Sequence, residues 1–129
     1  MDGVHKVNLA EAFARFHEHW RPKIAGALNE SYVKLAKLQG EFVWHHHAQE
    51  DELFLVVQGR LLINLRDANG AVRELWLEPG EFAIIPRGVE HQPVAAEEVH
   101  VLLLEPQTTV NTGSATGSDL TTGDEWLPD

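Results

Sequence analysis

Between Lys23 and Glu105 the chain never sustains a helical period. It breaks into short alternating or continuously apolar segments, each closed by glycine, proline or an Asx residue. Residues 24–28, 32–38, 42–47, 53–57, 61–65, 72–77, 82–85, 90–94 and 99–104 have the length and patterning of strands. The breaks between them carry turn chemistry: Gln39-Gly40-Glu41, Gln58-Gly59-Arg60, Asp67-Ala68-Asn69-Gly70, Glu78-Pro79-Gly80 and Pro86-Arg87-Gly88. The Asn69-Gly70 pair supplies the positive φ angles of a tight hairpin. Many short strands with almost no helix between them predict an all-β sandwich or barrel.

The flanks differ from this body. Leu9, Phe13, Phe16 and Trp20 recur at helical spacing, with Asn8 placed to cap and Glu11 three residues on. This predicts a short N-terminal helix over residues 8–19, ended before Pro22. Residues 107–129 are rich in Thr, Gly, Ser and Asp and contain no Lys or Arg. They predict an extended or mobile polar tail, in which Trp126 and Leu127 are the anchoring candidates. The expected organisation is thus one domain over 1–129, with its barrel in residues 23–105.

Composition narrows the chemistry. There is no cysteine, so any metal must be held by nitrogen and oxygen. The net charge of −10 counts against nucleic acid or an anionic membrane surface as partner. Apolar runs such as 53–57 and 101–104 are far too short to span a bilayer. The N-terminal residues, with Asp2, His5, Lys6 and Glu11, lack the apolar core of a signal peptide, so a cytoplasmic location is expected.

Ligand-type side chains concentrate in residues 40–59, GEFVWHHHAQEDELFLVVQG. On a strand, His45 and His47 project to one face and His46 to the other. Glu52, an odd number of residues past His47, regains that face only if residues 48–51 turn; Glu50 is the alternative if the register slips. The corner at Pro86-Arg87-Gly88 delivers His91 toward the same space. Three imidazoles and one carboxylate suit a borderline transition metal and disfavour calcium and magnesium. Other histidines lack such support: His17 and His19 do not share a helix face, and His5 and His100 read as structural or exposed. Arg87 reads as a surface ion pair rather than an anion-binding group, and Trp44 as packing.

Both segments resemble the two motifs of the cupins. Gly40, His45, His47, Glu52 and Gly59 match the first, with four residues rather than five between Gly40 and His45. Gly80, Pro86, Gly88 and His91 match the second, with Ala95 in place of its final Asn. The resemblance implies a double-stranded β-helix, or jelly roll. It implies His45, His47, Glu52 and His91 as ligands of one divalent transition metal ion, Fe, Mn, Ni or Zn. It leaves the reaction open: a metal-dependent isomerase or dioxygenase acting on a small oxygenated metabolite, or a non-catalytic binder of metal or a small molecule. A homodimer is expected, because open strand edges invite pairing and cupins commonly dimerise.

Overall fold

The computed structural model describes residues 3–129. Its elements are α1 (Leu9–Phe13), β1 (Lys23–Leu28), β2 (Ser31–Glu41), β3 (Glu52–Gln58), β4 (Leu61–Arg66), β5 (Val72–Leu77), β6 (Phe82–Ile85) and β7 (Glu90–Pro106). All strand pairs are antiparallel. The main sheet runs β1-β2-β7-β3-β6, and β4 joins β7 to β5. The chain is an antiparallel double-stranded β-helix with one short helix.

β7 ties the two halves together. Its first half, near Glu90–Val94, pairs with β4, and its second half, near His100–Leu104, pairs with β3. The sequence suggests two strands here, at 90–94 and 99–104. They form one 17-residue strand because β2 pairs along both halves, through a register shift between Leu38 and Gly40. At the β3–β4 corner Gly59 has φ 86°, and a Cβ there would stand 2.9 Å from the Glu98 carbonyl oxygen, so only glycine fits.

Alternation decides which side chains fill the barrel. On β3, Phe54 and Val56 point inward; on β4, Leu61, Ile63 and Leu65 do; on β7, Val99, Val101 and Leu103 do, and together they form the main core. A second, smaller cluster lies on the outer face. There Ala12, Phe13 and Phe16 cover Leu35 of β2, with Leu102 of β7 packed alongside.

Three further expectations are corrected. The helix predicted over 8–19 ends at Phe13, and Ala14 caps it. Beyond it the backbone is drawn toward β2, where Trp20 N–H donates to the Lys37 carbonyl at 2.9 Å. Trp20 itself takes φ 62°, so the helix cannot run on. Residues 42–47 are not a ladder strand but an extended segment with one isolated bridge, His45 to His91. The tail is folded rather than extended. Thr109 and Thr112 are buried, and the chain end is pinned to β1 by hydrogen bonds from Ile24 N to Glu125 O (2.7 Å) and from Leu127 N to Ile24 O (2.9 Å). Trp126 meets Tyr32 edge-on.

Candidate metal centre

His45 and His91 are set side by side by their own backbones. His45 N donates to His91 O at 3.1 Å and His91 N to His45 O at 2.9 Å, and the ring centroids lie 4.3 Å apart. Each Nδ1 also sits 2.9 Å from the carbonyl two residues back, Val43 for His45 and Val89 for His91. A carbonyl only accepts, so each Nδ1 carries the proton and each Nε2 is left as a lone-pair donor. His47 is held by its backbone, whose carbonyl accepts from Gly88 N at 2.8 Å. Thus the Pro-x-Gly corner fixes both His47 and His91.

Glu52 opens β3 after residues 48–51 turn, and so faces inward with Phe54 and Val56. Its Oε1 lies 3.4 Å from both His47 Nε2 and His91 Nε2. One donor atom from each of His45, His47, Glu52 and His91 falls within 4.8 Å of all the others, and all four residues are buried. His47 Nε2, His91 Nε2 and Glu52 Oε1 have no hydrogen-bond partner. Buried polar atoms are costly when unpaired. Three such atoms converging on one point, in a nitrogen-rich set with one carboxylate, are what a transition metal ion would satisfy.

The electrostatics favour ligation. Burial, reinforced by the neighbouring His91, pushes the His45 imidazole down to about 4, so it is neutral at physiological pH. Burial alone would push the Glu52 carboxyl up, but its contacts with His47, His91 and Glu105 hold it well below the usual carboxylate range. Glu52 is therefore an anion with a free lone pair facing the imidazoles.

The remaining candidates lie outside the cluster. His46 points away, as strand parity requires, and its backbone is tied to Ser114. Glu50 accepts from Thr108 Oγ1 at 2.9 Å. Arg87 pairs with Asp51 on the surface, and Trp44 lies under the Arg66 guanidinium. His19 and His100 both engage Glu98.

Two groups have no motif to mark them. Lys34 and Glu105 occupy inward positions of β2 and β7 and are joined at 3.1 Å, both buried. A charged residue in the apolar phase of an alternating strand is the only trace they leave in the sequence. Asn111, from the tail, also reaches the site. A small cavity of about 40 Å³ opens beside the cluster, walled by Trp20, Leu38, Phe42, Phe54, Val101 and Leu103, with His45, Glu52, Glu105 and Asn111 as its polar margin.

The family profile described as Cupin domain matches residues 31–105. The chain belongs to the cupin family. This cupin is 42% identical over 65 residues to the uncharacterised protein YdbB of Bacillus subtilis (strain 168), a match covering 50% of the chain and 54% of YdbB. The chain thus spans about half the length of that relative, and less of the other curated relatives it matches. A solved cupin-2 domain protein from Shewanella frigidimarina NCIMB 400 superposes with TM-score 0.72 at 42% identity, over 78% of this chain and 93% of that one. Hydroquinone 1,2-dioxygenase from Sphingomonas sp. TTNP3, solved with 4-nitrophenol, shares the fold at TM-score 0.70 and 19% identity, over 79% of this cupin and 32% of the larger chain. Among the described residues, no helix is long and apolar enough to cross a membrane.

Proposed function

We propose that this cupin is a metal-dependent enzyme of the dioxygenase type, acting on a small, largely apolar molecule that carries oxygen donors. His45, His47, Glu52 and His91 would hold one divalent transition metal ion. The observation that carries the reading is the character of the space beside that cluster: an apolar cavity with no cation on its wall. A sugar phosphate would need cationic groups there. Arg66, Arg73 and Arg87 line a separate external groove instead. This weighs against the isomerase alternative.

The division of labour follows from the geometry. The bound metal would supply a Lewis-acidic, redox-capable centre for the substrate oxygens and dioxygen. Phe42, Phe54 and Trp20 would pack the substrate's apolar body and exclude water from the centre. His45 both contributes a ligand atom and lines the cavity, so it sets the distance between metal and substrate. The fold shared with a hydroquinone dioxygenase holding 4-nitrophenol supports a phenol-like or enediol-like ligand.

The test is oxygen consumption by protein reconstituted anaerobically with Fe(II), challenged with hydroquinones, catechols and enediols, with sugar phosphate isomerisation assayed in parallel. Oxygen uptake with a member of the first group is expected. Tight ligand binding without turnover across Fe, Mn, Ni and Zn would favour the second reading, a non-catalytic binder, which the small size of the cavity supports.

A homodimer is also proposed. The outer face of edge strand β6 leaves Phe82 60% and Ile84 57% exposed. Across the ladder they continue into Leu55 and Leu53 of β3. A second copy pairing through this edge would cover an apolar stripe that one chain leaves open.

A further inference from the structure

Among the described residues, two that are not glycine take positive φ, Asn29 and Trp20. Asn29 lies in the turn between β1 and β2, where an Asx side chain tolerates this backbone. For a side chain as bulky as that of Trp20, φ 62° is an outlier that persists only where surrounding contacts over-determine it. Its N–H donates to the Lys37 carbonyl and its indole Nε1–H to the Gln39 carbonyl, both at 2.9 Å. The residues that follow are braced against the tail, Arg21 and Lys23 both pairing with Glu125. The strained backbone turns the indole into the barrel, where it is 8% exposed and stacks on Phe42 at 4.7 Å. Phe42 in turn meets the His45 ring edge-on at 5.4 Å.

The indole limits the cavity beside the metal-type cluster. That cavity measures about 40 Å³, room for a few waters, whereas a cavity that takes benzene measures about 150 Å³. Much of its apolar wall comes from ladder strands, through Ala36, Leu38, Phe54, Val101 and Leu103. Backbone pairing sets the positions of these side chains. Trp20 belongs to no strand, and it is the bulkiest side chain on the wall. An indole is larger than a benzene ring, so it occupies the volume that a ring-shaped ligand would need. Its backbone is pinned at both N–H groups, which makes it a fixed wall.

We propose that Trp20 is the specificity-determining residue of this site: its indole takes the place of a ring and restricts the site to short acyclic ligands. The inference rests on the reading of the site given above and narrows its ligand from phenol-like or enediol-like to the acyclic kind. It also gives the strained backbone a use. The conformation that aims the indole at Phe42 and the cluster is the one that closes the site to rings.

The test begins with benzene, which needs no metal, titrated into metal-free full-length protein and followed by ligand-observed NMR. The wild type should show no saturable binding, and Trp20→Leu should bind benzene. A second arm measures the Kd of catechol and of hydroxyacetone, an acyclic hydroxyketone, for Zn(II)-loaded protein. The ratio of the catechol Kd to the hydroxyacetone Kd should fall about 10- to 200-fold in Trp20→Leu, a change that a general loss of stability would not produce. Should Trp20→Leu not fold, Trp20→Phe, which keeps a ring against Phe42, takes its place with shifts of the same sign. Saturable benzene binding by the wild type, or an unchanged ratio in the variant, would overturn the role of Trp20 and leave the metal centre standing. Failure of the wild type to hold Zn(II) would remove the metal centre, and the benzene arm alone would then decide the size limit.

Discussion

Gly113 approaches the His47 imidazole so closely that a methyl group on its Cα would stand 3.0 Å from Nδ1 and run into the His46 carbonyl oxygen. His45 and His91 each anchor Nδ1 on a carbonyl, but His47 Nδ1 has no hydrogen-bond partner. The Gly88 N–H holds the His47 backbone, and the folded tail adds only packing against its ring. Gly113 also takes φ 48°. Gly113→Ala should therefore cost about 1–3 kcal/mol in urea unfolding and weaken metal binding. An unchanged urea midpoint would show that the tail does not press on the site.

Ligand substitutions separate the two faces of the histidine triplet. His45→Ala and His91→Ala should leave no stoichiometric metal after dialysis, because each removes one of only four donors. His46→Ala should retain it, with affinity within about threefold, since its contacts to the tail are made by backbone atoms and an exposed-side change is usually small. Elemental analysis of protein purified without a histidine tag reads both results. Equal loss from His46→Ala would contradict the parity of this segment.

The metal-free protein should lose stability in acid through His45. Burial holds this imidazole at about 4 in the fold, against 6.5 in the free side chain. The unfolded chain therefore binds the proton first. The stabilisation is fully present above about pH 6.5 and is lost as pH falls toward 4. The difference is worth roughly 3 kcal/mol. Denaturant midpoints between pH 7 and 4 measure it, and they should flatten in His45→Ala. Saturating metal should delay the loss, because ligation and protonation compete for the same nitrogen.

Association through β6 is tested by light scattering over a range of concentrations. A dimer mass is expected for the wild type and a monomer mass for Phe82→Glu, which places a charge in the exposed stripe. A concentration-independent monomer for the wild type would rule the edge out as an interface.

The convergence of His45, His47, Glu52 and His91 is legible in the sequence because local rules fix it. Parity on an extended segment puts His45 and His47 together and sends His46 away, whether or not the segment forms a ladder. The Pro86-Arg87-Gly88 corner delivers His91 for equally local reasons. The helix stops at Phe13, short of the 8–19 that the spacing predicts, because spacing reports which residues seek burial and not the backbone path that buries them. Phe13 and Phe16 both reach the outer cluster, yet only Phe13 does so from a helix. The fold of the tail is not legible in the sequence, because Thr, Gly and Ser read as solvated whenever their hydrogen-bond partners lie far away in sequence, as Ser114 does from His46 and Thr108 from Glu50.

Strand alternation, turn residues and the spacing of four donors determined an all-β barrel with a nitrogen-rich centre. They act over a few residues, and a linear sequence records them directly. The union of two strands into β7, the fold of the tail over His47 and the meeting of Lys34, Glu105 and Glu52 were decided only by tertiary structure. Each depends on which strands become neighbours and in what register, and that choice is made by the collective burial of the whole barrel rather than by any one segment.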